Sequence, residues 1–351
     1  MKYTYSGEEL SKSEIPSSAA AKGQYADVPR KRSRALLLFM MVFIAGVVGG
    51  VWWLLSSENG TKPSCGELGE AGQDGVTNVA SAGFSARNAT DEELTLYLES
   101  TAGEARQLFE YVRQSAFVQE NGQYAALMKD VEFVFDATND QVNAVASRRV
   151  DEEGVESRLI TCFAGEMRFS RTIALAAAAE LAGHKGAVKM MMDELSPRLC
   201  GELSLNDAAK LVRNCGIDRY LADEAVLSKA KSIGAGCVVG TLAHEIGHHV
   251  LGHNFQYGKD RINNEINRNC ENQSDLFAAS VMSSSPFGEY IFAGRAFALW
   301  VRMRQTDPIL EQIPERSLSH PINRERFVNL VLANKEKAVA LGIVLPDLDN
   351  D

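Results

Sequence analysis

The run His244-Glu245-Ile246-Gly247-His248-His249-Val250-Leu251-Gly252-His253 holds four of the chain's six histidines. It contains H-E-x-x-H. On an α-helix His244 and His248 stand one turn apart on a single face, so both imidazoles can reach one metal ion. Glu245 then lies beside that ion, close enough to deprotonate a water there. The competing reading is a helix whose histidines are merely solvated, and the flanking sequence separates the two. Ala235-Gly236-Cys237-Val238-Val239-Gly240-Thr241-Leu242-Ala243 precedes the motif and is apolar or small throughout. A helix hydrophobic nearly all round belongs at the centre of a domain. Histidines placed there need partners, and a metal ion is the most economical one. His249 and His253, at i+1 and i+5 from His248, point away from the metal-facing stripe and read as supporting residues, not ligands.

Downstream, Cys270-Glu271-Asn272-Gln273-Ser274-Asp275-Leu276-Phe277-Ala278-Ala279 reads as a second apolar helix. Glu271 and Asp275 share one of its faces at i, i+4. One carboxylate can be a third zinc ligand, and the other can orient a ligand histidine from behind.

On these residues the chain resembles the HtpX-like and CAAX-prenyl-protease-like zinc metallopeptidases, a gluzincin group marked by H-E-x-x-H followed by E-x-x-x-D. Asn143-Ala144-Val145-Ala146 resembles the N-A-F-A segment before the active-site helix of that family. His320-Pro321 with Arg326 resembles its late H-P-x-x-x-x-R element. The resemblance spans roughly residues 131–330. Carried over, it implies one zinc ion per chain held by His244, His248 and Glu271, with Glu245 as catalytic base and Asp275 supporting the ligands. His320 and Arg326 would lie near the site. The expected reaction is hydrolysis of peptide bonds in unfolded or misfolded proteins. Glu245 would take a proton from the attacking water and deliver it to the leaving amine, and His320 would help stabilise the oxyanion. The strand holding Asn143, Ala144, Val145 and Ala146 would bind substrate as an added β-strand. Two other classes stand beside this one: a zinc-binding scaffold or chaperone-like membrane protein without turnover, and a zinc or nickel enzyme acting on something other than peptides. The best-known family members carry several membrane spans, whereas this chain has one obvious one, so single-anchor or soluble relatives are the closer comparison.

That span is 35–55, ALLLFMMVFIAGVVGGVWWLL, uncharged and long enough to cross a bilayer. Arg30, Lys31, Arg32 and Arg34 precede it, and Glu58, Glu67, Glu70 and Asp74 follow. The positive-inside rule places the N-terminus in the cytoplasm and the remainder outside it, on the periplasmic side if the cell is bacterial. Gly46 and Gly50 form a G-x-x-x-G that can pack two anchors into a homo-oligomer. Residues 1–34 read as a disordered cytoplasmic tail and 56–89 as a flexible tether.

Residues 90–345 are expected to form one domain, mainly α with a small β-sheet (α+β) and zincin-like. Thr90-Asp91-Glu92-Glu93 is a capping box opening a helix to about Ser115, with Leu94, Leu98, Leu108, Phe109 and Val112 inward. Residues 131–135 and 141–149 alternate as strands around the turn at 136–140, and 158–163 continues that sheet. Helices are expected over 172–182, within 206–233, and over 291–304 and 323–341.

The formal net charge is −10, with no basic stripe beyond the membrane-flanking cluster, which argues against nucleic-acid binding. The six cysteines include no C-x-x-C, so a cysteine zinc site is not indicated. Outside the cytoplasm disulfides are permitted. Cys200 with Cys215 and Cys237 with Cys270 are the candidate pairs, set against simple burial as small apolar residues.

Overall fold

The computed structural model of the chain describes residues 91–335, apart from 151–153, 155, 254–263, 285–287, 315–317 and 319. The span at 35–55 with Gly46 and Gly50, the tail and the tether all lie outside the described residues. Among the described residues no helix is long and apolar enough to cross a membrane.

The motif sits on the longest described helix, Glu224–Val250, of 27 residues. Asp223 starts it, its carboxylate accepting from the Ala225 and Val226 N–H groups at 3.0 and 3.2 Å, which satisfies two donors that a first turn leaves orphaned. Gly252 ends it by taking φ +76°, a conformation glycine adopts without penalty, its N–H donating to His249 O at 3.2 Å. At about 1.5 Å per residue the helix is about 40 Å long and passes through the middle of the fold.

Around it the elements, in chain order, are α1 (Asp91–Arg113), α2 (Ala116–Glu120), α3 (Gly122–Met128), β1 (Val131–Asp136), β2 (Ala144–Val150) and β3 (Glu156–Phe163). Then come α4 (Ala164–Leu181), α5 (Ala187–Glu194), α6 (Pro197–Gly201), α7 (Leu205–Asn214), a 3-10 turn (Asp218–Ala222) and the motif helix α8. The last are α9 (Asn264–Ser284), α10 (Gly288–Leu310) and α11 (Asn323–Ala333). The fold is therefore mainly helical with one small sheet, as expected. Helix α8 packs against α4, α9 and α10 on different sides and touches α1, β2 and β3. That surround explains why its sequence has no polar face between Ile233 and Ala243, whereas Glu224, Ser228 and Lys231 in its first turns are exposed.

The sheet departs from expectation in its pairing. Its order is β1-β3-β2, with β1 parallel to β3 and β2 antiparallel to it. The hairpin therefore joins β2 to β3, and β1 never pairs with β2. The turn after β1 does form, the Asp136 carboxylate accepting from Thr138 N and Oγ1. Beyond it the backbone is committed elsewhere. Gly165 N donates to Asn139 O, Leu203 N to Asp140 O and Val142 N to Gly201 O. These bonds pull 139–142 toward α4 and α6 and open the place that β3 fills.

Other boundaries shift. Helix α4 begins eight residues before the alanine-rich stretch, directly off β3, because Gly165 lets the chain at Asp140 pass where a Cβ would clash. The segment expected to hold further helices up to Ile233 instead holds α7, the 3-10 turn and the first turns of α8. Helix α10 runs past Arg304 to Leu310, and α11 ends at Ala333, residues 336–341 of the expected helix lying outside the described residues. Of the two readings of the cysteines, burial holds, and neither candidate disulfide forms among the described residues. Cys200, Cys215, Cys237 and Cys270 are all buried thiols, and Cys237 Sγ instead meets Gly294 O at 3.2 Å. Burial pushes the Cys237 and Cys200 thiols up to about 12, which keeps them inert.

Candidate metal centre

Thr241, His244, Glu245 and His248 fall at i, i+3, i+4 and i+7 on α8 and line one cavity of about 190 Å³. Helix α9 contributes Glu271, and β2 with the residue before it contributes Asn143, Ala144, Val145 and Ala146. His320, Arg326 and the α10 residues Arg295 and Arg302 complete the wall.

Three side chains converge within it. His244 Nε2 lies 3.2 Å from His248 Nε2 and 3.0 Å from Glu271 Oε2, while His248 Nε2 is 3.5 Å from Glu271 Oε1. Tetrahedral zinc with bonds of about 2.0–2.1 Å holds neighbouring ligand atoms about 3.3 Å apart, so this triangle already has the size of a ligand set. His244, Glu245 and His248 also qualify as a group, their ligand atoms lying within 4.8 Å of one another. Glu245 is the looser of the two acids, at 4.0 Å from His244 Nε2 against 3.0 Å for Glu271. The buried cluster can therefore hold a metal ion, and Glu271 fits a ligand position better than Glu245.

The electrostatics give the same division. Burial would raise Glu271, but the hydrogen bond and charge of His244, with His248 and His320 behind it, hold its carboxyl well below the usual range. Burial raises Glu245 to about 7, with His244 opposing and the charge of Glu271 adding to the rise. Burial pushes His248 down to about 2, with His244 adding to the fall. For His244 burial acts downward too, but Asp275 and the hydrogen bonds to Asp275 and Glu271 outweigh it and lift the imidazole to about 9. A proton on His244 Nε2 thus satisfies Glu271 and leaves His248 as a neutral acceptor. A metal cation would satisfy the same three atoms.

Each ligand candidate is braced. His244 Nδ1 is 2.9 Å from Asp275 Oδ1, and Arg326 grips Asp275 with Nε and Nη2, each at 2.8 Å. Burial works against the Asp275 charge, but Arg326 and His244 hold its carboxyl well below the ordinary range. His253 Nδ1 lies 3.2 Å from His248 Nδ1, with its Nε2 2.9 Å from Gln273 Oε1. His249 turns away and places Nε2 2.9 Å from Leu159 O, tying α8 to β3. Neither extra histidine joins the triangle. His320, with 62 % of its side chain exposed, approaches from the open side, Nε2 3.3 Å from Glu271 Oε1.

Residues 143–146 border the cavity on the β2 side. Phe163 N donates to Asn143 O, so in this antiparallel pair the alternate residues Ala144 and Ala146 turn their backbone groups to the edge away from β3. There Ala146 N donates to Glu245 Oε2 at 2.8 Å, joining the strand edge to the acid beside the histidines.

Sequence reasoning missed the far end of the cavity. Arg295 Nη1 donates to Thr241 Oγ1 at 2.9 Å, and Thr241 donates to Glu166 Oε1 at 2.9 Å. Arg302 Nη2 reaches Glu166 Oε2 at 3.0 Å and Val142 O at 3.1 Å. The available signal was two arginines seven residues apart, on one face of the otherwise apolar segment 291–303.

No family model, no curated protein and no solved structure matches the chain.

Proposed function

We propose that this chain is a membrane-anchored zinc endopeptidase of the HtpX-like type, acting outside the cytoplasm on extended or unfolded polypeptides. The observation that carries this reading is the triangle of His244, His248 and Glu271, with a second acid, Glu245, held beside it by the edge of β2. A purely structural metal site has no need of that second acid. When bound, zinc there would polarise the scissile carbonyl and lower the pKa of an attacking water.

The residues of the chain do the rest. An extended substrate pairs with the outward N–H and C=O of Ala144 and the Ala146 carbonyl, the Ala146 N–H being held by Glu245, and so presents its carbonyl to the cluster. Glu245, raised to about 7, is poised to take the proton of the attacking water and return it to the leaving amine. His320 stands at the open side, where it can donate to the developing oxyanion. Asp275 and His253 hold the two histidines by their far nitrogens, which fixes the direction of the inner ones.

The test is metal content and casein cleavage of the purified full-length chain beside Glu245→Gln. About one zinc per chain in both, with cleavage only in the unaltered protein, is expected. Zinc without cleavage in either would favour the scaffold reading, and absence of zinc would end the proposal.

A further inference from the structure

We infer that the far end of the cavity, where Arg295 and Arg302 stand beside Thr241, is a subsite for a substrate carboxylate adjacent to the bond being cut. This inference rests on the peptidase reading and names the substrate feature that the enzyme would select.

The first argument is position. Thr241 precedes His244 and Glu245 by one turn on the same face of α8, a separation of about 5.4 Å along the helix axis. Arg295 is bonded to Thr241 and lines the same cavity. One extended residue spans about 3.3–3.6 Å, so a group belonging to the residue next to the scissile bond reaches this floor.

The second is charge. Arg326 occupies both oxygens of Asp275. Arg302 is paired with Glu166, yet its Nε is buried without a partner among the described residues. Arg295 is 5 % exposed, and its nearest carboxylate oxygen is Asp275 Oδ1 at 4.0 Å, already bonded to Arg326. Among the described residues it is the cavity arginine with no carboxylate within hydrogen-bonding distance. A guanidinium so deeply buried is costly unless an anion meets it. Its planar fork suits a carboxylate above other anionic partners of a peptide.

The third is construction. A Cβ on Gly240 would sit 2.6 Å from Arg295 Cδ and one on Gly294 would sit 2.4 Å from Ile233 O. Bare backbone at both positions lets α10 press onto α8 and lays the arginine's stem across it, so the head group is fixed in place. The carboxylate can come from the C-terminus of a peptide or from an Asp or Glu side chain, and both offer the same two oxygens.

The experiment uses full-length, zinc-loaded Glu245→Gln protein, which binds without turnover, and labelled peptides of one sequence. One pair differs only in a free or amidated C-terminus. A second, amidated pair differs only by internal Glu or Gln. At least one pair should favour the acid by about tenfold or more, and that pair identifies the source. Arg295→Met should bring the ratio close to one, and Arg295→Lys should restore part of it. Equal binding within both pairs, no measurable binding of any acid peptide, or a ratio that survives Arg295→Met overturns the subsite. Should Arg295→Met fail to fold, the two ratios in Glu245→Gln alone decide. Casein cleavage by the unaltered chain, run in parallel, separates the readings: cleavage with equal binding rejects only the subsite, and an acid preference without cleavage rejects the peptidase and leaves Arg295 as a carboxylate-binding group with no scissile bond beside it.

Discussion

His244 is committed through both nitrogens of its ring. One ring nitrogen faces Asp275 and the other faces both Glu271 and His248. Because its imidazole is lifted to about 9, it carries a proton at neutral pH that a metal ion must displace. Zinc affinity should therefore rise with pH, by about tenfold per unit, and level off near pH 9. Competition with a chelator between pH 6.5 and 9.5 measures this, and a flat profile would contradict the assignment. Asp275→Asn should weaken zinc binding about 10- to 100-fold by removing the acceptor behind His244. It also strands Arg326, so thermal or urea unfolding should show a loss on the order of 3 kcal/mol. At this scale the sequence was informative where the chemistry is local. The spacing of His244, Glu245 and His248, and of Glu271 and Asp275, is a helix-face argument that needs no tertiary knowledge. Arg295 and Thr241 escaped because their roles arise only when α10 is laid across α8.

Elements were read well where periodicity was continuous and poorly where tertiary bonds overrode local signals. The long apolar stretch before the motif correctly implied a central helix, and α1 ends near its expected limit. The hairpin expected between β1 and β2 failed because Asn139, Asp140 and Val142 bond to α4, α6 and their flanks, a commitment that no local pattern encodes. Helix α11, which carries Arg326, has no cap of its own. Asp307 of α10 supplies it, accepting from Asn323 N at 3.1 Å and Arg324 N at 2.8 Å. Two glycines should respond in opposite ways to alanine. Gly294→Ala drives a Cβ into the α8 backbone and should destabilise the protein by about 1–3 kcal/mol or more. Gly103, exposed on α1 with nothing within 4 Å of an added Cβ, should gain about 0.5–1 kcal/mol on the same change. Urea titration of the two variants checks both signs.

The described fold is a frame that brings four other elements to one face of α8: the edge of β2, the acid pair of α9 and the arginines of α10 and α11. The division of labour between Glu271 and Glu245 is the centre of the account, since one is read as holding the metal and the other as working beside it. Zinc affinity of the full-length chain, compared with Glu271→Gln and Glu245→Gln by chelator competition, tests this most directly. Glu271→Gln should lose tight binding, by about 100-fold or more, while Glu245→Gln should stay within about tenfold of the unaltered chain. The reverse order, with Glu245→Gln losing the metal and Glu271→Gln keeping it, would contradict the account.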